Sequence, residues 1–499
     1  MEKFNYTTPS ANYKKKVMLH RIIFWLLILL ILAGLAYGLF FTYKIYSVGK
    51  KVNIENNADS TFVETVKSFT SHAPLNLNGA DKNQINILLL GIAGKGKPGQ
   101  FLTDTIMVAS LDTKTNRVAL LSLPRDLFIS IPNTTLQTKI NSVYQFGLAN
   151  STSDSDAVQV VEETITSITG LDINYFVVMN FDGFQKAIND IGGINIVSER
   201  NIYDASYPGP NYSYETFELS KGFHRLDGAT ALKYARERHN DPEGDFGRAK
   251  RQQQIMQATK NKIFSAGTML DVFALNNLFD TLGDNIKTDI QPEDFASFFE
   301  LMKKIDTNNI NNVVLDAWNK DSLLKVAHIQ LGNVQAFALV PRIGNYSEIQ
   351  DLAKNIFDLN ALKRRQDEIT QENATIAIIN KSSDARIIQK IKKVLQENLN
   401  YKNVIILTDN NKHSVEKTTA YDLTNGQKPF TLDELATRLP ATVSYDIPAD
   451  LAKTLQNKTV DMALIVGKDL TSKYNIEEGT IDDLNRARDD QESQNLIKN

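Results

Sequence analysis

The sequence predicts a layered α/β protein with an N-terminal transmembrane helix and a second, small α/β domain towards the C-terminus. Two observations predict the main domain. The continuous apolar run Ile85–Ile92 is typical of a fully buried strand, and further strands alternate with helices up to about residue 262. A third observation, the uncharged stretch Ile22–Tyr43, predicts the helix in the membrane.

Composition and charge exclude several classes of function. At 499 residues the chain is too long for one ordinary core, so more than one domain is expected. The lack of cysteine excludes disulfides, thiolate metal sites and a cysteine nucleophile. Residues 1–51 hold eight of the 55 Lys and Arg but one of the 58 Asp and Glu, which leaves −10 beyond them. We therefore expect no nucleic acid partner.

The stretch 22–43 is predicted to be an uncleaved anchor. As a helix, its 22 residues span about 33 Å, enough for a hydrocarbon core of about 30 Å. A signal peptide has a shorter apolar region, of about 7–15 residues. The bases Lys14–Lys16 and Arg21 precede the stretch and favour a cytoplasmic N-terminus. We expect a single-pass cell-membrane protein whose bulk is extracytoplasmic and meets membrane lipid.

The order of patterns divides the chain into seven segments. They are a cytoplasmic tail (1–21), the transmembrane helix (22–43), a stalk (44–82), the main domain (83–262), its helical extension (263–365), the small α/β domain (374–468) and a disordered acidic tail (471–499). Within the main domain, residues 199–220 are rich in Tyr, Pro, Asn and Ser and are predicted to form a loop.

Basic residues gather in one stretch of the main domain, at Arg225, Arg236, Arg238, Arg248 and Arg251. The segment around Arg236 and Arg238 is strand-like, which would place both guanidinium groups on one face. Arginine suits phosphate because its planar fork makes two parallel charge-assisted hydrogen bonds. Acidic residues lie among these bases, so the pattern leaves open both an anion-binding site and a surface salt-bridge network.

The following segment adds polar groups to this cluster. Asp245 is the expected N-terminal cap of a helix. Arg248 and Gln252 are four residues apart and therefore share a face of that helix. Two adjacent elements are thus expected to direct several donors at one anion.

A second group of charged residues is predicted at the ends of the early strands. Asp104 lies beside one predicted strand, Arg125 and Asp126 follow another, and Lys139 adds a third basic element. We expect these residues at the C-terminal ends of the strands, where α/β proteins place their sites. Ordinary turn chemistry also explains each of them taken alone.

Taken in order, these motifs resemble the LytR–CpsA–Psr family of cell-envelope phosphotransferases. The matching segments are LLLGI (88–92), TDTIMV (103–108), SLPRD (122–126), KIN (139–141), DIGG (190–193), LDGATALKYARER (226–238) and DFGRAKRQQ (245–253). The resemblance is close over 83–262 and looser up to about 365. Residues 374–468 resemble the small LytR-type C-terminal domain that is often appended to this family.

The resemblance implies a layered α-β-α domain with a central mixed sheet. It implies transfer of a glycopolymer phosphoryl unit, as in teichoic acid or capsule attachment, from a polyprenyl-pyrophosphate carrier to peptidoglycan. It also implies a Mg²⁺ cofactor with Asp104 as the metal ligand. The residues that it implies for pyrophosphate binding are Arg125, Arg236, Arg238, Arg248 and Gln252. The implied catalytic residues are Asp104, Arg125, Arg236 and Arg238.

Two positions depart from the family pattern. Ala93 stands where the family often has an aspartate, and Leu102 where it often has an arginine. These departures support an alternative function, a non-catalytic protein that binds polyprenyl pyrophosphate or envelope polymers as a scaffold. A transcription regulator, an older description of the family, is disfavoured because residues 1–21 are too few for a DNA-binding domain.

Overall fold

The structure is a computed structural model that describes residues 32, 36–51, 53, 77–209, 213–237, 241, 244–265, 272–305, 310–317, 322–331, 334–409, 413–471, 474 and 477–478. These residues form two α/β units, one around a six-stranded sheet and one around a five-stranded sheet. The predicted cytoplasmic tail (1–21) lies outside the described residues, as does most of the predicted acidic tail (471–499).

Strands and helices are numbered here in chain order. The strands are β1 (Gln84–Ile92), β2 (Thr103–Asp112), β3 (Arg117–Leu123), β4 (Phe128–Ser130), β5 (Gln137–Lys139), β6 (Tyr175–Asn180), β7 (Ile194–Ser198), β8 (Ile202–Pro208), β9 (Tyr214–Leu219), β10 (Gly222–Leu226), β11 (Ile286–Thr288), β12 (Asn311–Val314), β13 (Leu324–Leu331), β14 (Val334–Pro341), β15 (Thr375–Asn380), β16 (Asn403–Leu407), β17 (Thr419–Asp422), β18 (Thr442–Ser444), β19 (Met462–Val466) and β20 (Glu477–Glu478). The helices are α1 (36–51), α2 (Val143–Asn150), α3 (Asp154–Thr169), α4 (Phe181–Asp190), α5 (Gly228–Arg236), α6 (Gly244–Ile263), α7 (Val272–Asn285), α8 (Asp294–Lys304), α9 (Ser347–Lys354), α10 (Leu359–Glu372), α11 (Ile387–Lys393), α12 (Pro429–Arg438) and α13 (Ala449–Leu455).

The main domain is built on a mixed sheet in the order β11-β6-β1-β2-β3-β12. In β1, alternate residues bury on opposite faces: Leu88 and Leu90 pack with α2 and α3, whereas Ile85 packs in a second cluster with α8. Both faces of the sheet are therefore covered, which explains why β1 is apolar apart from Gln84 and Asn86. The predicted layered α/β fold with a central mixed sheet is confirmed.

The strand directions bring several chain segments to one edge of this sheet, which we call the site edge. β1, β2 and β3 form an antiparallel meander, whereas β6 and β12 run parallel to β1 and β3. The ends of β1, β3, β6 and β12 therefore meet the start of β2. The register shows this directly, because Ile92 of β1 pairs with Asn180 on one side and with Thr103 on the other.

Two predictions within the main domain are wrong. Residues 199–220 are not a loop, because they contain the antiparallel hairpin β8–β9, whose inner face buries Tyr207 and Phe217. The segment around Arg236 is not a strand. It is the last turn of α5, which Asp227 caps at its start and which buries Ala231 and Tyr234. The burial of these two residues at helical spacing outweighs the strand-like local sequence.

The extension over 263–365 is not only helical as predicted. It contains α7, α8 and α9, but β11 and β12 are strands of the central sheet and β13–β14 form an antiparallel hairpin. β12 has just four residues, Asn311–Val314, so it carries no periodic pattern of its own and is formed by pairing with β3.

The C-terminal unit has the parallel strands β15, β16 and β19 at its centre, with β17 and β18 alongside. Its strands and helices lie where the sequence predicts an α/β unit over 374–468. A junction cluster of charged residues joins it to α9 and α10. In that cluster Arg438 contacts Asp351 at 2.6 Å and Glu434 at 2.9 Å, and Arg365 contacts Asp433 at 2.6 Å.

The chain returns to the main domain after this unit. The Tyr474 hydroxyl donates to the Ile343 carbonyl at 2.6 Å, and β20 pairs with β13 through Glu477 and His328. The two units are therefore connected both through α10 and through the residues that follow β19.

At the N-terminal side, α1 packs against α7. Lys44 pairs with Asp280 at 2.9 Å and Lys51 pairs with Asp284, so the first residues of the predicted stalk (44–82) form part of a docked helix and not a free spacer. The predicted membrane span (22–43) falls largely outside the described residues. Among the residues that the structure does describe, no helix is both long and apolar enough to cross a membrane.

Candidate functional site

Asp104 and Arg125 form an ion pair at the site edge. The Arg125 Nη1 donates to Asp104 Oδ1 at 3.0 Å, and the two side chains stay 26% and 33% exposed. Asp104 is the second residue of β2. It lies beside the C-terminal ends of β1 and β3, because β2 runs antiparallel to both.

Hydrogen bonds hold the SLPRD and KIN motifs together beside this pair. Lys139 Nζ donates to Asp126 Oδ1 at 2.7 Å, and the Asn141 amide donates to the Arg125 carbonyl at 3.3 Å. The Thr103 hydroxyl donates to the Asn141 carbonyl at 3.2 Å, which ties β2 to the same loop. The backbone on both sides of the Asp104–Arg125 pair is thereby fixed.

Arg236 reaches the site edge from the opposite side of the domain. It is the last residue of α5, it is exposed, and its guanidinium carbon lies 4.7 Å from the centroid of the Phe181 ring. Phe181 follows Asn180, which is two strands away from Thr103 in the sheet. Two strand spacings are about 10 Å, so Arg236 and Asp104 flank the same stretch of the site edge.

Helix α6 presents two further donors to the end of α5. Gln252 Nε2 donates to the Ala235 carbonyl at 3.4 Å, next to Arg236. Arg248 lies one turn earlier on the same face of α6 and is half-buried. Gln252 therefore lies next to Arg236, and Arg248 lies one turn from Gln252 on α6.

Not all of the predicted residues are placed in the site. Arg238 lies outside the described residues. Helix α6 begins at Gly244, so Asp245 belongs to its first turn and is not its N-terminal cap as predicted. Arg225 is remote from the site edge, because its guanidinium donates to the Gly192 carbonyl at 2.6 Å on the far side of α4. Arg251 is buried and binds backbone carbonyls.

Sequence reasoning missed two aromatic neighbours of Arg236. Phe181 could have been found, since it directly follows the end of β6. No sequence pattern points to Tyr207, because its position beside Arg236 depends on the register of the β8–β9 hairpin. It packs under Lys233, whose Nζ is 5.8 Å from its ring centroid. Burial raises the pKa of Tyr207 to about 12, and nearby Arg236 offsets part of that rise.

The described residues offer limited ligands for a metal. They contain no cluster of three or more His, Asp or Glu side chains arranged to hold an ion. Asp104 supplies one accessible carboxylate, and Ala93 is buried nearby with no polar side chain. Mg²⁺ is often bound by one or two carboxylates plus substrate phosphates and water. Asp104 therefore fits a Mg²⁺ that takes most of its ligands from a bound diphosphate.

The site edge combines an accessible carboxylate–arginine pair with further donors in an α/β domain, an arrangement of a kind suited to phosphoryl transfer. The sequence model of the LytR_cpsA_psr family matches residues 40–336, more than half of the chain. The chain belongs to the LytR–CpsA–Psr family. All the site residues named above lie within the matched region.

The chain is also similar to individual named proteins. Over 286 residues the chain is 30% identical to the polyisoprenyl-teichoic acid–peptidoglycan teichoic acid transferase TagU of Enterococcus faecalis, which covers 57% of this chain and 80% of that protein. Over 197 residues it is 36% identical to the regulatory protein MsrR of Staphylococcus aureus, which covers 39% of this chain and 54% of that one. The crystal structure of Bacillus subtilis TagV aligns at 24% identity with a TM-score of 0.41, covering 56% of this chain and 98% of that one.

Proposed function

We propose that this protein transfers a glycopolymer phosphoryl unit from a polyprenyl-pyrophosphate carrier to peptidoglycan in cell-wall assembly. The observation that carries the proposal is the position of the Asp104–Arg125 pair beside Arg236, Arg248 and Gln252 at one sheet edge. Family membership supports it, as does the transferase name of the enterococcal relative. No nucleic acid partner is proposed, because the chain beyond residue 51 is acidic.

The arginines act by binding and by charge neutralisation. Arg236 and Arg248 donate to the diphosphate oxygens from two helices, and Gln252 adds a neutral donor. A peptidoglycan hydroxyl attacks the phosphorus nearer the glycan. Polyprenyl phosphate leaves with the electrons of the broken P–O bond and takes up the proton that the hydroxyl loses. Fixed cations stabilise the charge that develops on the transferred group and on the leaving phosphate. Arg125 both faces this charge and orients Asp104.

We propose Mg²⁺ as the cofactor and Asp104 as its protein ligand. A bound Mg²⁺ would neutralise charge on the phosphate oxygens. Arg125 donates to the same carboxylate and so restricts how Asp104 presents its second oxygen. With Ala93 in place of a second carboxylate, affinity for the ion is expected to depend on the diphosphate.

We also propose that residues 22–43 anchor the protein in the cell membrane, with the N-terminus cytoplasmic and the bulk outside. An anchored domain meets a lipid-linked donor at a high effective concentration. The C-terminal unit, which lies beyond the family match, is proposed to be a LytR-type domain.

Transfer by the full-length protein in detergent tests the function. A synthetic polyprenyl-diphosphate glycan and peptidoglycan fragments are supplied with and without Mg²⁺, and release of polyprenyl phosphate is followed. We expect Mg²⁺-dependent release together with glycan on peptidoglycan. Tight binding of the donor without turnover would contradict transfer. It would support the second candidate function, a non-catalytic lipid-diphosphate binder, which Ala93 and Leu102 favour.

A further inference from the structure

A buried charge network lies behind the site, formed by Arg200, Asp241 and Arg251. The Asp241 side chain is 1% exposed and pairs with both arginines. Arg251 is almost as buried, at 5%, whereas Arg200 is one-third exposed. A buried carboxylate that is shared by two guanidinium groups is held in one place, because moving it would leave charge uncompensated.

Arg251 connects this network to the end of α5. Its Nε donates to the Tyr234 carbonyl at 3.0 Å, and its Nη2 donates to the Glu237 carbonyl. Carbonyls in the last turn of a helix lack helical partners, and a cation there is favoured by the helix dipole. The two bound carbonyls stand on either side of Arg236 in the chain, so Arg251 fixes the backbone that carries Arg236.

Asp241 connects the same network to the first turns of α6. A Cβ on Gly247 would lie 1.9 Å from Asp241 Oδ2, so the helix and the carboxylate are in direct contact. A side chain at this position in the DFGR motif would displace Asp241, which explains the glycine. Arg251 lies on α6 as well, next to Gln252. The network therefore sets the distance between α5, with Arg236, and α6, with Arg248.

We propose that Arg251, held by Asp241 and Arg200, is a positioning residue that aligns Arg236 with Arg248 for diphosphate binding. The proposal rests on the proposed function of the site. Arg251 itself is buried and does not touch the ligand. Arg251 meets the two carbonyls and Asp241 with three separate nitrogens. Lysine keeps the charge, but its donors share one nitrogen and cannot reach all three positions.

Calorimetric titration of the full-length protein in detergent with geranylgeranyl diphosphate tests this role. We expect Arg251→Lys to raise Kd about tenfold or more, the effect of losing well-placed hydrogen bonds to a charged group. Arg225→Lys is the matched control, because Arg225 also binds a backbone carbonyl but lies away from the site edge. Its Kd should equal that of the wild type.

A double-mutant cycle separates positioning from general weakening. If Arg251 acts through Arg236, Arg251→Lys should change Kd little in an Arg236→Ala background. Equal effects in both backgrounds, or an unchanged Kd in folded Arg251→Lys, would overturn the proposal.

Hydrogen exchange keeps the two proposals distinguishable. If the wild type does not bind the diphosphate, the proposed function fails. Whether Arg251 fixes the backbone that carries Arg236 is then tested by the hydrogen-exchange rates of the amides in the last turn of α5. We expect them to exchange faster in Arg251→Lys than in Arg225→Lys or the wild type. Equal exchange rates of these amides in all three proteins would show that the network does not fix the backbone at Arg236.

Discussion

Arg125 and Arg236 at the site edge and Arg438 in the junction cluster lie in opposite surroundings. At the site edge, Arg125 pairs with Asp104, and both side chains remain partly exposed to solvent. Arg236 is exposed and packs over the Phe181 ring. In the junction cluster, the Arg438 side chain is 6% exposed and is compensated by Glu434 and Asp351. An arginine enclosed by carboxylates holds two units together, whereas an arginine that remains accessible keeps donors for a ligand.

The physical basis of this difference is desolvation. A guanidinium that is already buried and paired has lost its water and gains little from a new anion, and removing its partner leaves an uncompensated charge. An exposed guanidinium keeps hydration that a phosphate can replace with charge-assisted bonds. Substitutions in the two clusters should therefore separate stability from binding, and the four predictions below test that separation.

The largest effect is expected for Arg438→Ala. It leaves the buried Glu434 with Arg365 as its remaining partner, so the loss should lie at the low end of the about 3–5 kcal/mol that breaking a buried pair typically costs. Urea unfolding of the full-length protein should show this loss in the C-terminal unit. Diphosphate affinity should stay at the wild-type level, and a weakened Kd in the folded variant would contradict the contrast.

The reverse pattern is expected for Arg236→Ala. The loss of one charged donor should weaken diphosphate binding by about 1.5–3 kcal/mol, roughly 10- to 150-fold in Kd. The urea midpoint should not move, because the side chain is exposed. Arg225→Ala is the control, with unchanged affinity expected. Similar losses in both variants would show that overall charge, and not position, governs binding.

Carboxylates offer a third test. Asp104 is accessible, but Asp294 packs beside Glu293 and Tyr175, and burial raises the pKa of Asp294 to about 6. Between about pH 4 and 6 the folded state then holds a proton that the unfolded state has lost, so this carboxyl makes stability fall as pH rises. Asp294→Asn should gain about 1–2 kcal/mol relative to the wild type from pH 4 to 7, allowing for solvent screening. Parallel pH–stability curves would refute the assignment.

The smallest effect is expected for Arg364→Ala. Arg364 pairs with Asp358 at 2.8 Å, but both side chains are more than half exposed. Exposed pairs contribute about 0–1 kcal/mol, so neither unfolding nor diphosphate binding should change by more than about 1 kcal/mol. A larger loss of stability would mean that exposure does not separate the two kinds of arginine.

The sequence predicts the half of the site that lies on strands, with Asp104 and Arg125, better than the half that lies on helices, with Arg236, Arg248 and Gln252. Apolar runs such as Ile85–Ile92 fix the buried strands, and the motifs at their ends then fall at one edge. Asp104 directly precedes the predicted strand Thr105–Leu111 and lies beside the C-terminal ends of β1 and β3, because an antiparallel meander returns to the same edge. Periodicity alone does not reveal that β2 runs antiparallel.

The helix-borne half depends on contacts that are distant in sequence. Around Arg236 the local pattern suggested a strand, but Ala231 and Tyr234 bury at helical spacing against the hairpin layer. The local sequence likewise does not show that neighbouring arginines have different roles. Arg251 is three residues from Arg248, yet one is enclosed by carbonyls and Asp241 and the other is half-buried beside Gln252. No local pattern distinguishes them.

The pairing of β20 with β13 bears on where this protein can be divided. A recombinant fragment that stops near residue 370 removes the C-terminal unit, but it also removes Glu477 and Glu478 from the outer side of β13. The backbone groups on that side then face solvent, as on any uncovered edge strand, and such edges recruit strands from other molecules. Aggregation of that fragment would therefore be explained by the exposed edge of β13 and would not show that the core of the main domain is unfolded.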